Sequence, residues 1–293
     1  MKSEPRLIPS ANLFSVKQPC DEEPTYVAAR IDLEGSMKLK KTLTLVVAAM
    51  CATTAQQALA QAEVNGPTAL IITYRARPGA RATFRSIMQT EGVAQFEKWK
   101  KEGVFASYQA LFTTYAADSV PDMFLVVNFN HFGDLARWQT IEETFPGGLP
   151  ADAQAIASAD TSGEADIVKE SSTAPTTKES QFFVLEYDVL ADMPKYTSYV
   201  LGYAVPQFDA WEKTGALSSY ALYVNQNPAG APWSSFIVLE YKDLRALAAR
   251  EVIKDKARAE LAVSNAEWKK WSDDKTAMRK EKAAIPARAL NLP

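Results

Sequence analysis

The sequence is poor in the residues that most often build metal and redox sites. Its 293 residues include one histidine and two cysteines, and both cysteines, Cys20 and Cys51, precede Gln61. It contains no GxSxG, HExxH, P-loop, GxGxxG or paired CxxC motif. Serine hydrolase, zinc peptidase, nucleotide-binding and thiol-redox functions therefore lack their usual support. We predict no cofactor, no metal and no disulfide.

A large excess of either charge is also lacking. Lysine and arginine total 32 against 35 aspartates and glutamates, which gives a formal net charge of −3. Proteins that bind nucleic acid present basic surfaces, so we predict no nucleic-acid partner. Beyond Gln61 no apolar run approaches the roughly 20 residues of a membrane-spanning helix.

The N-terminal region has the pattern of a secretory signal that starts late. A basic segment at Met37–Lys41 precedes a short apolar run, and Ala58-Leu-Ala60 has the small residues of a cleavage site. We predict that residues 37–60 are a signal peptide cleaved after Ala60, and that residues 1–36 are a non-native extension. The protein is then periplasmic or secreted. The alternative, a membrane anchor, is disfavoured because the apolar run is short.

One pattern occurs twice, with a constant spacing of 112 residues (215 − 103). Each copy predicts the end of an amphipathic helix, a glycine stop and a strand. The glycines, Gly103 and Gly215, occupy the position where a helix commonly ends in the left-handed conformation. The aromatic residues that share the spacing are Phe96/Phe208, Trp99/Trp211 and Tyr108/Tyr220.

Around each copy the order of elements is β-α-β-β-α. We assign residues 69–146 to a first repeat and residues 181–293 to a second, which ends in a charged helical extension over residues 254–282. Between them, residues 147–180 are rich in small and polar residues and predict a linker. Residues 166–169 within it could form a closing strand, and Pro286 onward could form a tail or a weak last strand.

This order, with an optional last strand, is that of a split βαβ, ferredoxin-like unit. Its sheet leaves one apolar face bare, and two repeats could cover each other sheet to sheet. The fold class is therefore α+β. The Phe-x-x-Trp…Gly…Tyr repeat and the unit size resemble the dimeric α+β barrel superfamily in its fused, two-repeat form.

That superfamily includes antibiotic-biosynthesis monooxygenases and EthD-like, NIPSNAP-like and chlorite dismutase proteins. The resemblance implies a barrel of two paired repeats within one chain, and it covers functions from cofactor-free oxygenation to heme chemistry. Fold does not determine function. The candidate residues must be judged by their own chemistry.

Three residues are candidates for catalysis. Glu186 and Glu240 each interrupt an apolar strand, where the first repeat has Thr73 and Asn128. If the two glutamates lie side by side on the inner sheet face, mutual repulsion raises one pKa and creates an acid–base pair or a cation site. The alternative is that both lie near strand ends and reach water. His131 could act as a base or, as the resemblance to chlorite dismutases implies, as a heme ligand; otherwise it ends a strand.

Four tyrosines are candidates for ligand binding. Tyr108 and Tyr220 could face the barrel interior and line a pocket, and Tyr74 and Tyr187 end the first strand of each repeat. We predict an exported barrel that binds a small, largely apolar molecule in its interior. The alternatives are a cofactor-free monooxygenase or isomerase of the barrel type, and an interaction protein without a pocket. Whether the protein is an enzyme is left open.

Overall fold

A computed structural model of the protein describes residues 66–291. The predicted extension (residues 1–36) and signal peptide (residues 37–60) lie outside this range. The first half of the described chain carries four strands, β1 (Thr68–Ala76), β2 (Ser107–Thr113), β3 (Met123–Phe129) and β4 (Ala157–Ser172). Helix α1 consists of Arg81–Ile87, a π-helical turn at Met88–Gly92, and Val93–Lys101. Between β3 and β4 the chain forms a 3₁₀ turn (Phe132–Asp134), α2 (Leu135–Glu142), a second 3₁₀ turn (Pro146–Gly148) and α3 (Ala151–Gln154).

The second half repeats this order and adds helices near its end. Its strands are β5 (Gln181–Val189), β6 (Leu217–Asn225), β7 (Ser235–Tyr241) and β8 (Arg279–Ala289). Helix α4 consists of Met193–Tyr199, a π-helical turn at Val200–Ala204, and Val205–Lys213. Between β7 and β8 the chain forms α5 (Leu244–Ala248), α6 (Arg250–Ser264) and α7 (Ala266–Met278). Among the described residues, no helix combines the length and apolarity needed to cross a bilayer.

The eight strands close into an antiparallel barrel in the order β1-β3-β2-β8-β5-β7-β6-β4. Within each half the last strand pairs with the first, as β4 with β1 and β8 with β5. Each last strand also pairs with the second strand of the other half, as β4 with β6 and β8 with β2. Closure therefore gives every strand two neighbours and leaves no free sheet edge.

The two closing strands correct the predicted boundaries. The predicted linker contains the 16-residue strand β4, much longer than the expected 166–169 segment. Strand β8 begins at Arg279, inside the segment predicted to be helical, and not at Pro286. Both strands are rich in charged and small residues, and few of their side chains are buried. They can still form strands because backbone hydrogen bonds to two neighbouring strands hold them.

Alternation along the strands separates three apolar cores. On β5, Phe182 and Val184 point into the barrel, while Phe183, Leu185 and Tyr187 point toward the helices. The barrel interior is filled by large side chains from both halves, which include Phe124, Phe182, Tyr223, Trp233 and Phe236. The inner sheet faces thus meet, as expected, but their side chains fill the middle of the barrel.

The repeated motif has the local structure that its spacing predicts. Gly103 and Gly215 end α1 and α4 with φ angles of 70° and 69°, a conformation that costs other residues free energy. Trp99 and Trp211 are buried in the helix-facing cores. They lie 5.8 and 5.2 Å from the preceding phenylalanine rings, between centroids. Both tryptophans are therefore core residues, one in each half.

Candidate functional site

The two predicted glutamates lie on the same face but are not neighbours. Glu186 is opposite Phe236 and Glu240 is opposite Phe182 in the β5–β7 pair, so both share the inward face. Phe182 and Glu186 are separated by four residue steps along β5, which span about 13 Å. The predicted acid–base pair is therefore wrong. The alternation of the sequence predicts correctly that both glutamates lie on the same face. The antiparallel register, however, places them at opposite ends of the β5–β7 pair.

Glu186 is a buried carboxyl with a perturbed pKa. Its side chain is 8% exposed, and burial raises its pKa to about 7, with a further rise from Asp188 and an opposing effect of Lys282. Desolvation is the main cause of this raised pKa, and Glu240 does not contribute to it. Glu186 faces Ala283 of β8, at the end of the barrel where β5 finishes.

The Tyr108 and Tyr220 side chains pack in the helix-facing cores and not, as expected, in the barrel interior, although both residues do line a cleft of ≈ 500 Å³. The Tyr108 hydroxyl donates to the Val93 carbonyl oxygen at 3.4 Å, and the Tyr220 hydroxyl donates to Asp209 Oδ1 at 2.7 Å. Alternation placed Tyr108 correctly on one face with Ala110, but it does not say which face is inside.

His131 is exposed and directly precedes the 3₁₀ turn Phe132–Asp134. Its backbone N–H donates to Asp134 Oδ2 at 3.2 Å. The structure therefore places it at a local turn. Among residues 66–291, no group of three or more histidine, cysteine, aspartate or glutamate side chains is arranged to hold a metal ion.

Tyr187 lines a pocket that lies between the second-half sheet and the helices packed on it. The pocket has a volume of ≈ 310 Å³. Its apolar wall comes from α4 and from the helix-facing side of the sheet, and includes Leu185, Tyr203, Phe208, Trp211 and Leu239. The π-helical turn of α4 contributes Tyr203, and a π-helical turn occurs at the equivalent place in α1. Such turns are frequent at functional sites.

The opposite wall is basic. It consists of Arg250, Lys254, Arg258, Lys275 and Arg279, while Glu281 is the one acidic lining residue. Arg250 and Lys254 form ion pairs with Glu251, and Arg258 Nε donates to Gln207 Oε1 at 2.8 Å. The wall therefore carries a net positive charge that its own carboxylate does not balance.

Arg279 is the central cation of this pocket. As the first residue of β8, it places its guanidinium carbon 3.8 Å from the Tyr187 ring centroid and 5.9 Å from that of Tyr203. Cation–π attraction holds it against the aromatic wall. Its Nη1 is buried and has no hydrogen-bond acceptor among the described residues, and the same is true of Trp211 Nε1. Two buried donors thus lack acceptors at one pocket.

Tyr187 itself is buried at 5% exposure. Burial raises its pKa to about 12, although the nearby Arg279 charge acts in the opposite direction. Its hydroxyl lies 3.5 Å from Glu281 Oε2, the outer limit of a hydrogen bond. Tyr187 is therefore a neutral, weakly engaged phenol on the pocket wall at neutral pH.

The equivalent space in the first half is filled by the protein's own backbone. The Tyr74 hydroxyl donates to the Gly147 carbonyl oxygen at 2.5 Å, and Gln95 Nε2 donates to the Gly148 carbonyl oxygen at 3.0 Å. A Cβ on Gly148 would lie 2.8 Å from Trp138. The turn Pro146–Gly148 therefore fills this space, and we call it the plug. Tyr74 is a buried core residue and not part of a pocket.

Sequence reasoning missed the basic wall. The sequence predicts only a charged helical extension over residues 254–282, yet Arg250, Lys254 and Arg258 recur every four residues and so lie on one side of α6. That periodicity was the available signal. Arg279 carried no such signal, because its position at the pocket depends on the pairing of β8 with β5.

No family model matches this chain, and no curated protein matches its sequence. Several solved structures are similar in shape. A proposed monooxygenase from Lactobacillus acidophilus aligns at 10% identity and a TM-score of 0.48, covering 77% of this chain and 95% of its own. A chlorite dismutase from Candidatus Nitrospira defluvii aligns at 11% identity and 0.46, covering 78% and 93%. An anthrone oxidase-like protein aligns at 10% identity and 0.47, covering 78% and 92%.

At such identities and TM-scores below 0.5, the likeness does not extend to residues or chemistry. Histidine ligation of a heme does not fit the second-half pocket, because the lining residues include no histidine and His131 belongs to the first half. The pocket's lining instead offers arginines, lysines, aromatic rings and the Glu281 carboxylate.

Proposed function

We propose that the protein binds a small acidic molecule with a flat apolar body in the second-half pocket. The observation that carries this proposal is the pair of buried donors without acceptors, Arg279 Nη1 and Trp211 Nε1. A buried donor without a partner costs about 1–3 kcal/mol, and more when it is charged. A ligand carboxylate would supply acceptors to both.

The other lining residues support the same ligand class. Guanidinium groups bind carboxylates and phosphates through two parallel hydrogen bonds. Tyr187, Tyr203 and Phe208 offer aromatic faces and edges for a planar body. The volume of ≈ 310 Å³ falls at the lower end of the range for small-molecule sites, roughly 300–1,000 Å³.

The plugged first half supports the proposal independently. There, two carbonyl oxygens accept hydrogen bonds from Tyr74 and Gln95. Their counterparts in the second half line the open pocket: Gln207 lies at the common spacing (207 − 95 = 112), and Tyr187 corresponds to Tyr74 with one residue inserted (187 − 74 = 113). An acceptor-bearing ligand would occupy in the second half the space that a backbone turn occupies in the first. This revises the predicted interior site for an apolar molecule, because large side chains fill the barrel's middle.

The test compares naphthoate with its neutral amide by isothermal titration calorimetry. We expect naphthoate to bind and the amide to bind at least about tenfold more weakly, because only the carboxylate pairs with a cation. Arg279→Gln should weaken naphthoate binding by a similar factor. Arg288→Gln, which alters an exposed arginine on the same strand outside the pocket, should not. Equal binding of acid and amide, or an unaffected Arg279→Gln variant, would refute anion recognition.

A second candidate function is cofactor-free monooxygenation or isomerisation, which starts when a base removes a proton from the bound molecule. The observation in its favour is Glu281, a carboxylate on the pocket wall beside the Tyr187 hydroxyl. Oxygen uptake with a hydroxynaphthoate, abolished in Glu281→Gln while binding persists, would support it. Binding without turnover would leave the protein as a carrier.

The architecture and location are parts of the same proposal. The shared strand order and the 112-residue spacing (215 − 103) support an origin of the barrel as two fused ferredoxin-like halves. The pattern at residues 37–60 supports export, after which a periplasmic or secreted binding protein would begin at Gln61. N-terminal sequencing of the exported protein checks this, since any other first residue contradicts the predicted cleavage.

A further inference from the structure

A second cleft lies at one end of the barrel, on the inner side of the sheet. Its volume is ≈ 500 Å³, and both halves contribute to its walls. Strands β3 and β7 contribute Asn128 and Glu240, which are equivalent by the spacing of 112 residues (240 − 128). The segment after β4 contributes Thr176. This cleft is separate from the basic pocket, which lies on the helix-facing side of the second-half sheet.

Glu240 is the buried anion of this cleft, with 2% of its surface exposed. Its Oε2 accepts hydrogen bonds from the hydroxyls of Ser219, at 2.7 Å, and Thr176, at 3.1 Å. Its Oε1 is buried and has no donor among the described residues. A carboxylate oxygen left in this state carries an uncompensated desolvation cost.

Asn128 repeats the arrangement from the first half. Its Nδ2 donates to Ser107 Oγ at 3.2 Å, as Ser219 is paired with Glu240 in the second half. Asn128 Oδ1 is also buried with no donor among residues 66–291. Two acceptors from opposite halves of the barrel thus need donors at the same cleft.

The charge around the cleft has one sign. Glu170 adds a second carboxylate, while none of the lining side chains is basic. Tyr223, Val126 and Val238 complete the walls with an aromatic ring and apolar surface. An organic cation would receive both hydrogen-bond acceptors and an aromatic contact here. We propose that this end of the barrel binds a small organic ammonium ion, whose N–H groups donate to Glu240 and Asn128.

A bare metal ion fits these residues less well. Hard cations such as Ca²⁺ take six to eight oxygen ligands. No group of three or more acidic, histidine or cysteine side chains in the described part of the chain is arranged for a metal. An ammonium group needs fewer acceptors, and its carbon substituents would contact the valines. The site is thus opposite in charge to the basic pocket, and neither proposal depends on the other.

The experiment titrates benzylammonium, with neutral benzyl alcohol as the matched probe, by isothermal titration calorimetry. We expect saturable binding of the ammonium and at least about tenfold weaker binding of the alcohol, because hydrogen bonds to a charged group are the stronger ones. Glu240→Gln should weaken benzylammonium binding by a similar factor. Glu186→Gln serves as the control, since Glu186 shares the inner face but lies at the other end of the barrel.

Two further variants test the same proposal in case Glu240→Gln fails to fold. Asn128→Asp adds a third carboxylate to the cleft, at the position equivalent to Glu240, and should strengthen benzylammonium binding several-fold. Glu170→Gln alters an exposed residue and should weaken it by a smaller factor. Absence of saturable benzylammonium binding, equal binding of the alcohol, or no response to any of these three variants would overturn the proposal.

Discussion

The two halves of the barrel share their framework and differ in what fills the space between sheet and helices. In the first half the turn Pro146–Gly148 occupies that space and accepts hydrogen bonds from Tyr74 and Gln95. In the second half the turn is missing, and helices α6 and α7 with Arg279 surround an open pocket. In the first half the turn accepts from both side chains, whereas in the second half Gln207 Nε2 donates to the Tyr203 carbonyl oxygen at 2.7 Å and the Tyr187 hydroxyl has only a marginal contact at 3.5 Å.

The inner face of the barrel differs between halves in a similar way. Thr73 and Asn128 of the first half are neutral, while Glu186 and Glu240 of the second are carboxyls. Thr73 Oγ1 is hydrogen-bonded to Thr161 Oγ1 at 2.8 Å, whereas burial raises the pKa of the Glu186 carboxyl. Neutral pairs are easily satisfied in a packed interior, but a buried carboxyl is costly. Each half thus leaves one buried acceptor on the inner face without a donor among the described residues, Asn128 Oδ1 and Glu240 Oε1, and the second half also places the buried Glu186 carboxyl there.

The largest effect is expected from disturbing the plug. Gly148 has φ of 67°, and a Cβ there would lie 2.8 Å from Trp138 and 2.9 Å from Phe96. Gly148→Ala should lower the free energy of unfolding by about 4 kcal/mol, through overpacking and the left-handed backbone together. Urea unfolding measures this change.

The control for the plug is Gly230, which has φ of 79° and no atom within 4 Å of an added Cβ. Gly230→Ala should cost only the backbone term, about 1 kcal/mol. If the two variants are destabilised equally, the plug is not tightly packed. The contrast between a filled and an open half would then be weaker than the contacts of Gly148 indicate.

The next effect concerns Glu186 and its pH dependence. Its pKa of about 7 in the folded protein lies above the ordinary value of 4.5 for a glutamate side chain. The folded state therefore keeps the proton to higher pH than the unfolded state, and stability falls as pH rises from about 4.5 to about 7. Above that range the cost is constant, at up to about 3 kcal/mol.

Glu186→Gln should remove this cost, so the variant gains stability over the parent above pH 7 and loses the advantage below pH 4.5. Urea unfolding across this range measures the difference. Glu179→Gln, at an exposed position just before β5, is the control and should show no such window. Parallel stability curves for Glu186→Gln and the parent would mean that the carboxyl reaches water.

Much of this framework could be predicted from the sequence, because local signals specify it. The glycine stops, the buried tryptophans and the first three strands of each half follow from spacing and alternation. The closing strands β4 and β8 could not, since their polar sequences are held by backbone hydrogen bonds to strands distant in the chain. The pocket was missed for the same reason: Arg279 meets Tyr187 only through the β5–β8 pairing.

The smallest effect compares two equivalent tyrosines and tests the contrast between the halves most directly. Tyr74 donates to the Gly147 carbonyl oxygen at 2.5 Å, while the Tyr187 hydroxyl lies 3.5 Å from Glu281, which is exposed. Tyr74→Phe leaves a buried carbonyl without its donor and should cost about 1–2 kcal/mol in unfolding free energy. Tyr187→Phe gives up a marginal, partly solvated contact and should cost less than about 0.5 kcal/mol. Both substitutions remove a single oxygen from a ring that stays buried, so packing changes cancel in the comparison. Equal costs would show that the Tyr187 hydroxyl is already satisfied within the protein, and the open half would then have one fewer group to offer a ligand.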